Sequence, residues 1–167
     1  MYSNFLGSSG NIGYSRAFPA YTIEDNSYRK YPFVTSHLRA YYTQLFRNIK
    51  EEDLKDENGD YFRAANDVAT CIPILEQSHK RVLYLPELAY LYNSNTGLNN
   101  HIVRLSEQKG NDRKIRKKPS YSELTTLMSF QWFCILKFLS SKYNLNLIIF
   151  CLNYLRFIPI CLCSIIS

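Results

Sequence analysis

The five cysteines form no CxxC pair and no Cys/His cluster at metal spacing, which excludes the common structural zinc folds. Their odd number, with Cys134, Cys151, Cys161 and Cys163 crowded into the last third after Cys71, argues against a secreted disulfide scaffold. No basic-then-apolar leader opens the chain, whose first 30 residues are polar and rich in Gly and Ser, so no signal peptide is expected. The run GSSGNIG at 7–13 lacks the Gly-Lys-Ser/Thr ending of a phosphate loop, and no strong strand is expected ahead of it, so it reads as turn. There is no internal repeat. The basic run from Arg104 to Lys118 has no interleaved aromatics and no nucleic-acid module, so no nucleic-acid partner is expected and a solvated surface is the plainer reading.

What remains is a chain of 167 residues, enough for one domain with a sizeable core or a partial domain plus a tail. Tyrosine and phenylalanine are abundant, at 14 and 10. A tyrosine ring with a polar tip suits sugar-lined or interface surfaces, and equally suits half-buried strands and helices. The net charge of +6 is uneven. Glu51, Glu52, Asp53, Asp56, Glu57 and Asp60 make an acidic patch, whereas Arg104–Lys118 is basic.

Residues 1–33 carry turn chemistry and predict a loop-rich start with one short strand at most. Leu38, Tyr41, Tyr42, Leu45, Phe46 and Ile49 predict an amphipathic helix over 35–49, with Thr35 or Ser36 as its cap. A second helix is expected from Asp60, whose carboxylate would cap free N–H groups, with Phe62, Ala65, Ala69 and Ile72 on its stripe. Pro73 is expected to kink or end it nearby. Val82–Leu85 and Leu88–Tyr92 predict two short strands around Pro86. Residues 102–118 have no assigned structure. Leu145–Ile166 is long enough to cross about 30 Å of hydrocarbon as a helix. Arg156 near mid-span opposes insertion by about 2.5–3.5 kcal/mol.

Four blocks stand in a telling order: SHLRAYYTQLF (36–46), DYFRAANDVATCIPILE (60–76), YLPELAYLYN (84–93) and TGLNNH (96–101). KIRKKPSYSEL (114–124) follows them. Over about residues 10–121 this order resembles the C-terminal, acceptor-side half of the inverting nucleotide-sugar glycosyltransferases of family 2. The resemblance implies an α/β fold, a partial GT-A-like domain of helices plus short strands over 1–121. A hydrophobic helical tail over 122–167, membrane-associated or simply apolar, would follow it. The complete family enzyme holds Mg²⁺ or Mn²⁺ on the donor diphosphate through an Asp-x-Asp motif in its first half. This chain has no Asp-x-Asp and no preceding βαβ region, so no metal or other cofactor is expected for the chain alone.

By the same resemblance Asp67 is the catalytic candidate. It falls where family members carry an acidic pair at a helix start, here Asn66-Asp67, and would take the acceptor hydroxyl's proton. Helix spacing taken alone favours a helix-face Asp paired with a nearby Arg such as Arg63, four residues earlier, and the resemblance brings the two readings level. His37 and Arg39 are the substrate-binding candidates, the latter through its fork of donors. Asp60 is sufficiently explained by capping and Glu76 by a structural ion pair. His101 stands where some relatives give the metal a late His, and reads otherwise as surface. His79 is a helix-end His with no chemistry assigned. The expected function is therefore the acceptor-side part of a glycosyl transfer enzyme, using a nucleotide-sugar donor and a hydroxyl acceptor and inactive alone. The alternative is a non-enzymatic protein using Arg104–Lys118 and Leu145–Ile166 on an anionic membrane. The expected location is cytoplasmic, with membrane contact through the tail.

Overall fold

The burial of one helix on every side organises this molecule. The computed structural model describes residues 1–93 and 103–126. In chain order the described elements are β1 (Tyr2–Gly7), α1 (Ala20–Glu24), a 3-10 turn (Tyr28–Lys30), α2 (Thr43–Arg47) and a second 3-10 turn (Glu51–Leu54). Then come α3 (Asn66–Ser78), β2 (Tyr84–Tyr92) and α4 (Leu105–Lys117). The fold is mixed α/β, with helices around a parallel pair, β1 and β2. Parallel strands need a crossover connection, and α3 is its longest helix.

Almost every residue of α3 after its first turn is buried, and its apolar side chains enter three separate clusters. Val68, Ala69 and Ile72 pack with Phe62, Ala65 and Ile115 of α4. Leu75 joins Tyr2, Phe18, Tyr28 and Val34, and Ile74 joins Leu45 and Ile49. The helix runs through Pro73 to Ser78 rather than ending there. Pro73 is itself fully buried, so the ring's packing offsets the lost hydrogen bond. Two polar residues of α3 are also fully buried, and both are satisfied. Glu76 takes a two-pronged contact from Arg29, with Nε to Oε1 at 2.7 Å and Nη2 to Oε2 at 2.8 Å. Gln77 donates to the Leu45 carbonyl and accepts from the Asn48 amide.

The helix expected over 35–49 is not formed; only Thr43–Arg47 is helical. The backbone of 38–40 is bonded to β1 instead. Ser3 N–H donates to the Leu38 carbonyl at 3.0 Å, and Leu38 N–H donates to Ser3 Oγ at 2.9 Å. Ala40 N–H donates to the Met1 carbonyl. Groups engaged across the chain cannot close helical turns. Thr35 and Ser36 are buried rather than capping.

Asp60 is likewise no helix cap, since α3 begins at Asn66. Its N–H donates to Asp56 Oδ1 and its carbonyl accepts from Asp56 N–H, closing a turn around Gly59 at φ 85°. The two strands expected around Pro86 are one, Tyr84–Tyr92. Tyr2 faces Tyr84 and Asn4 faces Leu88, so the register slips between them and Pro86 falls in the slip, where no ladder donor is required. The one short strand allowed for the start of the chain is β1, which runs into GSSGNIG, and no helix directly follows that loop: Gly7 N–H donates to the Asn11 carbonyl in a tight return. Tyr121 and Leu124 still pack on the core, with Leu124 N–H donating to the Gln77 carbonyl. The tail Leu145–Ile166 and His101 lie outside the described residues. Among the described residues no helix is long and apolar enough to cross a membrane.

Candidate functional site

Asp67 sits in the first turn of α3, where exposed N–H groups favour a carboxylate. The chain enters through Ala65 in the left-handed region at φ 62°, a conformation costly for a residue with a Cβ. Asn66 Oδ1 then accepts from Asp67 N–H at 2.8 Å, and Asp67 Oδ1 accepts from Val68 N–H at 2.9 Å. The second oxygen, Oδ2, lies 3.5 Å from Arg39 Nη2. An ion partner of Asp67 is thus Arg39, distant in sequence. The Asp67 side chain keeps 32% of its surface open.

Arg39 is held at three points. Its Nε donates to the Ser36 carbonyl at 3.0 Å, its Nη1 reaches Cys71 Sγ at 3.2 Å, and its Nη2 faces Asp67. Cys71 lies one helical turn after Asp67, so one face of α3 presents both to the same guanidinium. Burial pushes the Cys71 thiol up, against the pull of Arg39. No helix surrounds His37 or Arg39, so neither owes its place to a helix terminus.

His37 stacks on Tyr92, with ring centres 5.5 Å apart and planes within 13°, and lies 5.1 Å from Tyr90. Burial and then the Arg39 charge hold its pKa below the ordinary value, against an upward pull from Asp67. These aromatics come from β2, so the strand expected around Pro86 supplies a wall of the site.

His37, Arg39 and Asp67, the three residues singled out from the sequence, line one open cavity of about 1230 Å³. Asp60 and Glu76 do not line it. Glu76 is the buried ion-pair residue expected, with Arg29 as its partner. His79 ends α3 at φ 49° with Nδ1 3.0 Å from Glu123 Oε2, away from the cavity. The far wall was missed. Gln108, Lys109 and Arg113 of α4 reach the cavity with Lys30. The i, i+4 spacing of Lys109 and Arg113 carried the signal, since it puts both on one face of any helix formed there.

Among the described residues no group of three or more His, Cys, Asp or Glu is arranged to hold a metal ion. Asp67 faces a guanidinium, which opposes a cation at the same oxygen. The described residues thus gather no ligand set for the divalent metal that the resemblance implies. No protein-family model matches the chain, and no curated protein or solved structure matches it.

Proposed function

We propose that this chain is the acceptor-side part of an inverting, GT-A-like nucleotide-sugar glycosyltransferase, with Asp67 as general base. The observation that carries the reading is the meeting of Asp67, Arg39 and His37 on one cavity, although His37 and Arg39 lie far from Asp67 in sequence. In the transfer an acceptor hydroxyl oxygen attacks the anomeric carbon of the donor and a glycosidic bond forms. The bond from that carbon to the diphosphate breaks, and the nucleoside diphosphate leaves with its electron pair. Asp67 takes the hydroxyl proton. Arg39 orients the carboxylate through Oδ2 while the Val68 N–H fixes Oδ1. His37 and Tyr92 offer a flat aromatic surface against which a sugar ring packs. A divalent metal on the donor diphosphate would be held by residues other than those described here.

Transfer needs a donor-binding half, so the test supplies one fused ahead of Met1 and follows transfer from labelled nucleotide sugars to a saccharide panel. Asp67→Asn should keep the circular dichroism spectrum and lose about 10²–10⁴-fold in turnover, because an amide cannot take the proton. Asp60→Asn should be mild, since its backbone turn does not depend on the Asp60 carboxylate. Near-normal turnover of the Asp67 variant, or no transfer by any fusion, would remove the reading.

A further inference from the structure

The cavity that holds Asp67 is electrically lopsided. Lys30, Arg39, Lys109, Arg113 and Arg116 line it against Asp67 and Asp112. The five cations divide into two groups. Arg39 and Arg116 are committed to the fold: Arg116 Nη1 donates to the Arg29 and Tyr31 carbonyls at 2.7 Å each, and its Nε donates to Asp112. With Arg29 Nη1 donating back to the Ile115 carbonyl at 2.6 Å, these bonds clamp α4 to residues 29–31. Lys30, Lys109 and Arg113 project from that clamped frame into the cavity and have no ion partner among the described residues. Residues 94–102 and 127–167 contain no Asp or Glu, so every side-chain carboxylate lies within the described residues.

The same wall bears an unmet acceptor. Gln108 Oε1 is buried and has no hydrogen-bond partner among the described residues. A buried acceptor without a donor is unfavourable, and a ligand hydroxyl would relieve it. Opposite stand His37, Tyr92 and Phe5, flat rings suited to the apolar face of a sugar. Asp67 on the same surface favours hydroxyl donors near it and repels phosphate.

We propose that the acceptor drawn into this cavity is an anionic saccharide, its hydroxyls at Asp67 and Gln108 and its carboxylate, sulfate or phosphate group at Lys30, Lys109 and Arg113; the acceptor role rests on the glycosyl-transfer reading of Asp67. A nucleic acid would also meet cations and rings, but it would bring its phosphates along the whole cavity, Asp67 included.

Isothermal titration of the full chain tests this with maltotetraose, sulfated maltotetraose and tetragalacturonate, alongside inorganic pyrophosphate and octauridylate. The anionic tetrasaccharides should bind at least about tenfold more tightly than maltotetraose, an advantage that shrinks with added salt. Lys109→Glu/Arg113→Glu should erase that advantage. The charge-matched Lys80→Glu/Lys117→Glu, at exposed sites outside the cavity lining, should change affinity by less than about threefold. Equal binding of maltotetraose overturns the proposal, as does equal weakening by both double variants. Pyrophosphate or octauridylate binding as tightly as the saccharides, or no saccharide bound, does the same. Because binding is read without a donor, a failure here leaves the base role of Asp67 to the fusion assay. Conversely, anionic saccharide binding with no loss of transfer in Asp67→Asn removes the base and keeps the ligand class.

Discussion

Replacing Arg29 or Glu76 singly should cost far more than replacing both. Arg29 is 7% exposed and Glu76 is not exposed at all. The pair spans the first 3-10 turn and α3, and it reaches further. Arg29 Nη1 donates to the Ile115 carbonyl of α4, and Glu76 Oε2 accepts from the Tyr121 N–H at 3.0 Å. Glu76→Leu would leave a guanidinium buried with two donors unmet, and Arg29→Met would leave a carboxylate without its cation. Each should lose about 3–5 kcal/mol, the range for an uncompensated buried charge. In Arg29→Met/Glu76→Leu no buried charge remains. The Ile115 carbonyl keeps the Lys118 N–H at 3.2 Å, so the one group left unmet is the Tyr121 N–H and the loss should fall to about 1–3 kcal/mol. The double-mutant cycle should therefore show a coupling of at least about 3 kcal/mol.

Urea unfolding followed by circular dichroism reads this directly. With a slope of about 2 kcal/mol per molar, each single variant should lower the midpoint by about 1.5–2.5 M and the double variant by less than either. Single losses below about 1 kcal/mol would mean the pair is screened by water that the packing does not admit. Single losses that simply add in the double variant would mean that the two side chains stabilise the fold independently. Either result would refute the ion pair as the joint between α3, α4 and residues 28–31.

Two glycines should respond in opposite directions. A Cβ at Gly13 would stand 2.4 Å from the Phe5 ring and from Asn4 Oδ1, so Gly13→Ala should lose about 1–3 kcal/mol in the same urea assay. Gly110 lies inside α4 with nothing near its Cβ position, so Gly110→Ala should gain up to about 1 kcal/mol from helix propensity. The His37 ring should titrate below the usual value of about 6.5 in NMR, lower still in Asp67→Asn because the carboxylate holds it up, and higher in Arg39→Gln. Since folding favours the neutral ring, its contribution is complete above about pH 6.5 and is lost as the pH falls from there towards the folded-state pKa. A His37 titration at or above 6.5 would contradict the packing against Tyr92.

How far the sequence could be read depended on where each backbone found its partners. The apolar stripe of Ala65, Ala69 and Ile72 predicted a helix, and α3 is one, because its neighbours bury it without competing for its N–H groups. Leu38, Tyr41, Tyr42 and Leu45 carry an equally good stripe, yet 35–42 is not helical. The difference lies in Ser3, whose N–H and hydroxyl both engage Leu38 from a strand that no local pattern links to it. Asp60 failed as a cap for a different reason. Asp56 Oδ1 takes both the Asn58 and the Asp60 N–H, a competing local turn that delays the helix to Asn66.

The site divides along the same line. Asp67 was legible as a residue type at a helix start, but its helix-spaced partner Arg63 was a local guess, and a guanidinium that meets it is Arg39. Arg39 reaches Asp67 only because 38–40 abandons the helix to follow β1. Had the stripe won, His37 and Arg39 would have turned with α2's face, and Ser3 would not hold the Leu38 backbone beside β1. The broken helix is thus the condition for the site. The basic wall was legible only as the shared spacing of Lys109 and Arg113, for the complementary reason. Nothing in Arg104–Lys118 distinguishes Arg116, spent on the Arg29 and Tyr31 carbonyls, from Lys109 and Arg113, left facing the cavity. Only the docking of α4 sorts them, so one face of that helix supplies both a clamp, through Arg116, and a binding wall, through Lys109 and Arg113.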